Sequence, residues 1–206
     1  VYGIYNSTCT NLNIYNNSVN ITAGGATYYA FYITGGTNVN IVNNIFSNTG
    51  GGYAYYASST TGVNMSNYNN LYASGTNLGY WGGNQATFNA FKTASGKEQS
   101  SVNVNPGFFG INDLHLVNFY LDKKAMPTPF VIDDIDGNLR DTLLPDIGAD
   151  EFVLPDNDAG VLSVITPVSP VTAGSQSVKV AIRNYGQLNL GSVLINWSVN
   201  GISQPS

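Results

Sequence analysis

A pattern recurs in the first seventy residues at a spacing too short for a domain and too long for one turn of a helix. Tyr2, Ile4, Tyr5, Leu12, Ile14 and Asn17 return 27 residues on as Tyr29, Phe31, Tyr32, Val39, Ile41 and Asn44. After 24 more they return as Tyr53, Tyr55, Tyr56, Val63 and Met65, and two extra residues move the asparagine to Asn69 or Asn70. Small residues keep step as well: Gly3, Ala30 and Ala54; Thr10, Thr37 and Thr61; Asn13, Asn40 and Asn64. Each unit holds two short alternating segments separated by Gly, Thr, Ser and Asn. Alternating β-branched and aromatic residues, broken by turn formers, exclude helices. A period of this length with two strands per unit predicts the coils of a parallel β-solenoid. A leucine-rich repeat has a similar period, but its Leu-x-x-Leu-x-Leu frame is absent.

Stacked coils lie about 4.8 Å apart, so each column repeats one residue type. Asn17 and Asn44 fall at a corner after the second strand. There an amide can bond its own turn and the asparagine above it. Like charges in such a column would repel, which explains neutral stretches such as NVNIVNNIFSN, residues 38–48.

Residues 1–91 contain no Asp, Glu, Lys, Arg or His, and charged residues make up 9% of the chain against about 25% in an ordinary domain. General acid–base chemistry, a glycosidase carboxylate pair and a lyase base are all missing from these coils. Tyrosine, with a pKa near 10, needs a neighbouring charge to substitute for them. No catalytic residue, cofactor or metal is expected here. The net charge of −5 argues against a nucleic-acid partner held through phosphates. No apolar run reaches the roughly 18 residues of a membrane span. Cys9 is the sole cysteine and is expected as a small residue packed in or near a core. The chain is also expected to be an internal piece of a longer protein. VYGIYNSTCTN has no starting Met and no signal-peptide pattern, SQPS is no closing signal, and further domains are expected on both sides.

Residues 92–152 are expected to cap the solenoid, since an open end exposes strand edges. QATFNAFKTASG, residues 85–96, predicts a short helix with Phe88 and Phe91 inward and Gly96 ending it. DLHLVNFYL, residues 113–121, alternates like a strand, with His115 outward. Asp133, Asp134, Asp136 and Asn138 supply oxygens for a calcium loop but do not complete an EF-hand spacing. The alternative is a plain turn at Asp136-Gly137, with Arg140 pairing Glu151 or Asp150.

The order NYNNLY, ATFNAFKTASGKEQSSVNVNPGFFG, DLHL, DIDGNLR, DIGADEF resembles the C-terminal end of secreted bacterial pectate-lyase-like proteins of the choice-of-anchor type. The block Asp136-Gly137-Asn138-Leu139-Arg140 with Asp146-Ile147-Gly148-Ala149 and Glu151 carries the likeness. The resemblance spans residues 1–153 and implies an all-β, right-handed parallel β-helix with a C-terminal cap. It implies no one reaction, because the architecture serves enzymes, adhesins and stalks alike.

Residues 154–206 begin a second domain. Val178, Val180 and Ile182 alternate, as do Val193, Ile195, Trp197 and Val199, which predicts part of a β-sandwich with Trp197 in its core. The run from Asp158-Ala159-Gly160-Val161 through Asn184-Tyr185-Gly186 to Trp197 resembles CARDB-like, immunoglobulin-like surface modules. The combination looks like a protein exported by the gliding-type (type IX) secretion route, to the cell exterior or outer surface. In that setting Asp141-Thr142-Leu143 resembles an O-glycosylation site.

The leading expectation is a noncatalytic stalk, adhesin or glycan-binding module. Tyr5, Tyr32 and Tyr56 are the candidate ligand-binding residues, pointing outward beside the small Gly3, Ala30 and Ala54 toward a polysaccharide or cell-surface glycan. A buried aromatic ladder is the plainer reading of the same column. The alternative function is a polysaccharide lyase or hydrolase with its active-site coils upstream of Val1. Ice binding through the Thr10, Thr37 and Thr61 column is a third reading, supported by one regular column only.

Overall fold

A computed structural model describes residues 1–204, and the chain forms two compact units, Val1–Val153 and a second beginning at Leu154. Pro205 and Ser206, the end of the expected second domain, lie outside the described residues.

The first unit is a parallel β-solenoid of three coils, with three strands in each coil where the sequence predicts two. One sheet holds β1 (Tyr2–Asn6), β4 (Tyr29–Ile33), β7 (Tyr53–Ala57), β10 (Gly79–Trp81) and the short antiparallel β11 (Asn84–Gln85). A second holds β2 (Asn13–Tyr15), β5 (Val39–Val42) and β8 (Val63–Asn67), and a third holds β3 (Ser18–Ile21), β6 (Ile45–Asn48) and β9 (Asn70–Ala73). In the first sheet the register runs Tyr2↔Tyr29↔Tyr53, Ile4↔Phe31↔Tyr55 and Tyr5↔Tyr32↔Tyr56, as the offsets of 27 and 24 require. The third sheet keeps type in one column only, Val19 over Phe46 over Leu71, and mixes types elsewhere, as in Ser18 over Ile45 over Asn70, so its repeat is weak.

Inside the coils Phe31 stacks on Phe46 at 5.0 Å and meets Tyr55 edge-on at 4.8 Å. Ile14, Ile41 and Leu71 complete this core, each large side chain contributing about 1.5–3 kcal/mol by burial. The expected pairing of Ile41 with Met65 does not form. A bulge after Val39 pairs Asn40 with Met65 and Ile41 with Ser66. One residue is inserted rather than two, so Asn69 falls beneath Asn44 and Asn70 beneath Ile45.

Helix α1 (Phe88–Ser95) starts at Thr87, whose hydroxyl accepts the Ala90 N–H, and stops at Gly96 with φ +64°. Phe91 is buried against Tyr55 at 5.2 Å, over the last coil. A Cβ on Gly79 would come within 2.6 Å of the Phe91 ring, so the strand beneath the helix needs glycine. Residues 98–104 continue the stack, with Val102 pairing in parallel with Asn70.

From there to Val153 the backbone has isolated bridges rather than strands, and it runs back along the flank instead of only covering the end. Asn43 exchanges two side-chain hydrogen bonds with the Met126 backbone, at 2.7 and 2.8 Å. Ser18 Oγ accepts the Ala149 N–H at 3.0 Å. Leu116, Leu121, Ala125 and Ile147 form a small core against Ile45. The strand expected over residues 113–121 is absent, because its N–H groups go to side chains, Leu116 to Asp150 and Tyr120 to Asn118.

In the second unit β12 (Ala159–Thr166) pairs antiparallel with β13 (Lys179–Asn184), and β14 (Ser198–Val199) with β15 (Ile202–Ser203). These are two separate two-stranded ribbons, too few strands to close over an apolar face. Val161 and Val164 accordingly stay 56% and 60% exposed. Trp197 is half-buried rather than central, and Val193–Ile195 join no strand. Among the described residues no helix is long and apolar enough to cross a membrane.

Candidate functional site

The outer face of the first sheet is a tyrosine surface. Tyr5, Tyr32 and Tyr56 form the expected column, and Tyr80 extends it, stacked on Tyr56 at 4.4 Å. A second column, Tyr2, Tyr29 and Tyr53, runs beside it with neighbouring rings 5.7 Å apart. Cross-column contacts of 5.0 Å (Tyr2–Tyr5) and 4.9 Å (Tyr29–Tyr32) join the two.

The shallow gaps expected beside this column are not there. Ala30 and Ala54 are fully buried and face the interior, and a Cβ on Gly3 would lie 2.3 Å from Val19 Cγ1. Ala30 and Phe31 both face inward in succession, which lets Tyr29 and Tyr32, three apart, share the outer face. Strict alternation hid this, because it assigns Tyr29 and Tyr32 to opposite faces. Tyr80 was detectable, since it lies 24 residues after Tyr56.

From Tyr2 to Tyr32 the rings stand within 29° of parallel except for the Tyr5–Tyr32 pair at 32°, while Tyr56 is turned 87° from Tyr53. Their faces are largely turned to one another, leaving edges and hydroxyls for a ligand. Two hydroxyls already have neighbours: Tyr5 meets Thr34 Oγ1 at 3.3 Å, and Tyr53 donates to Asn84 Oδ1 at 3.0 Å. Partial burial, with the neighbouring phenols adding to it, raises Tyr29 and Tyr56 above the ordinary phenol pKa.

A second polar centre lies inside the solenoid. Asn17 Nδ2 donates to Asn44 Oδ1 at 2.9 Å, and Asn44 Nδ2 to Asn69 Oδ1 at 3.0 Å. Asn69 Nδ2 donates in turn to both oxygens of Glu98, at 3.2 and 3.1 Å. Ser66 and Ser101 hydroxyls also donate to this carboxylate. Glu98 is fully buried, and desolvation raises its pKa against the lowering pull of those donors. The bulge in β8 turns Ser66 inward to meet it. No repeat marks Glu98, which occurs once, after the last coil.

The remaining candidates are scattered. Cys9 is exposed rather than packed, because its turn bonds backbone to Asn6 and leaves the side chain outside. Asp134 is committed to its turn, Oδ1 accepting the N–H groups of Asp136 and Asn138 at 2.9 and 2.8 Å. Arg140 pairs with Glu151 at 3.2 Å and also donates to the carbonyls of Asp133, Gly148 and Ala149. His115 contacts Asp113 and Asp136 through its two ring nitrogens. Burial pushes Asp146 up to about 7, with Glu151 and Asp122 adding and the N–H groups of Lys123 and Phe152 opposing. Thr142 is exposed and borders a cleft of about 440 Å³ with Pro127, Val131 and Leu139, which none of the tyrosines line.

Compared with known protein families, curated proteins and solved structures, the chain finds no match.

Proposed function

We propose that this chain is a noncatalytic extracellular or cell-surface solenoid, an adhesin or stalk that contacts glycans through its tyrosine face. The observation that carries this reading is seven tyrosines on one sheet face of coils that hold no charged side chain. A neutral surface edged with hydroxyls and aromatic C–H groups suits a polysaccharide, which offers hydroxyls and apolar ring faces in return. A right-handed coil is the hand that parallel crossover connections take. Residues 92–153 fit a cap that protects coil edges, and the second unit fits the start of an immunoglobulin-like surface module. Bacterial origin and type IX export rest on the sequence resemblance.

The test is a pull-down of the chain on a panel of soluble and insoluble polysaccharides, beside a Tyr5/Tyr32/Tyr56→Ala variant whose folding is checked by circular dichroism. Aromatic contacts of about 0.5–1.5 kcal/mol each predict at least a tenfold loss of binding in the folded variant. Equal binding by both forms, or none by either, overturns the glycan reading.

A further inference from the structure

We propose that His115, Asp136 and Asp150 bind a divalent transition ion, with Zn²⁺ as the fitting case. One ligand atom from each lies within 4.8 Å of the other two. The three come from separate stretches: the loop holding His115, the turn between the bridged residues Asp133 and Leu139, and the stretch that follows Ile147. His115 Nε2 is 3.0 Å from Asp136 Oδ2.

Two features separate this trio from an ordinary acidic patch. First, it contains an imidazole that is oriented from outside the trio. Asp113 Oδ1 lies 2.6 Å from His115 Nδ1, which leaves Nε2 to face Asp136. A carboxylate on the far nitrogen is how metal-ligating histidines are held in place and made more basic. Second, Asp150 is only 5% exposed. Its Oδ2 accepts the Leu116 N–H at 3.0 Å, and its other oxygen accepts no hydrogen bond from the described residues. No buried side-chain oxygen among the described residues lacks a partner, so this second oxygen opens to solvent at the edge of the trio, where an ion can reach it.

The donor set selects the ion. One imidazole with two carboxylates suits a first-row divalent ion, whereas Ca²⁺ takes six to eight oxygens. Zinc binds such atoms at about 2.0–2.2 Å and sets tetrahedral ligands about 3.4 Å apart. The 3.0 Å contact opens slightly and the longer separations close. Three protein ligands leave a fourth position for water. The ion ties together three stretches that share few backbone hydrogen bonds, so its role is to hold this part of the first unit in place.

The experiment is calorimetric titration of the full chain with Zn²⁺, with Ca²⁺ in a parallel arm, and thermal unfolding under the same conditions. One Zn²⁺ per chain is expected, with a rise in melting temperature that Ca²⁺ does not reproduce. Asp136 and His115 reach the surface, so Asp136→Asn and His115→Gln fold without the ion and lose at least tenfold in affinity. Asp113→Asn weakens binding by roughly 10–100-fold through misorientation of the ring. No saturable Zn²⁺ binding, binding unchanged in Asp136→Asn and His115→Gln, or a preference for Ca²⁺ each overturns the proposal.

Discussion

Glu98 reaches the interior on a backbone with φ +60°, a left-handed conformation that side-chain-bearing residues avoid. What holds it there is its set of donors from Ser66, Asn69 and Ser101. Glu98→Ala leaves those donors without an acceptor and is expected to cost about 3 kcal/mol in urea unfolding. Glu98→Gln keeps the shape and removes the titration. The raised pKa of Glu98 fixes the sign: stability tied to its proton is complete below the unfolded value of 4.5 and is lost as pH rises through the folded value. Stability therefore shifts in favour of Glu98→Gln as pH climbs from 4.5. A wild-type minus Glu98→Gln difference that stays flat with pH would show that the carboxyl is not perturbed.

The stacking distance of the coils leaves no slack at their corners. A Cβ on Gly62 would lie 2.2 Å from the Gly36 carbonyl oxygen of the coil above, whereas one on Gly25 meets nothing within 4 Å. Gly62→Ala is expected to lower stability by about 1–3 kcal/mol through overpacking, and Gly25→Ala to leave it nearly unchanged. Equal effects on thermal unfolding would mean the corner can relax. The same strict stacking made the solenoid legible in the sequence. Offsets of 27 and 24 between tyrosines are the register itself. It failed where stacking keeps type in one inward column only, as in the third sheet, whose outer side meets the returning segment at Ile45. That returning segment was illegible for a related reason. Its side-chain to backbone bonds, such as Asn43 to Met126, leave no period. At the site, the Tyr5, Tyr32 and Tyr56 column was readable, but the consecutive inward pair Ala30 and Phe31 concealed the column beside it.

Beside Glu98, buried Asp146 and the tyrosines also lose stabilising protons as pH rises, the phenols at much higher pH. Asp146, pushed up to about 7 by burial, contributes stability that is complete below 3.8 and lost as pH rises through about 7. Tyr29 and Tyr56 are raised above 10, and the fully buried Tyr55 well above it, so their contribution is lost only beyond that value. Thermal unfolding across this range is expected to weaken in two steps. Asp146→Asn removes its share of the first, and phenolate absorbance rising late accompanies the second. Tyr55→Phe is expected to remove the latest part of that rise, and an unchanged rise would contradict the burial of Tyr55. The amide ladder gives the molecule a grain as well. Every rung from Asn17 to Asn69 hands its hydrogen toward Glu98, whose two oxygens are already taken. At the other end Asn17 Oδ1 accepts nothing from the described residues. Glu98 is sealed inside, so the ladder is closed at that end and open only at Asn17, where it offers an acceptor. The solenoid can be lengthened along this line only by a strand that arrives at Asn17 with its own donor, a polarity that works against self-made fibres.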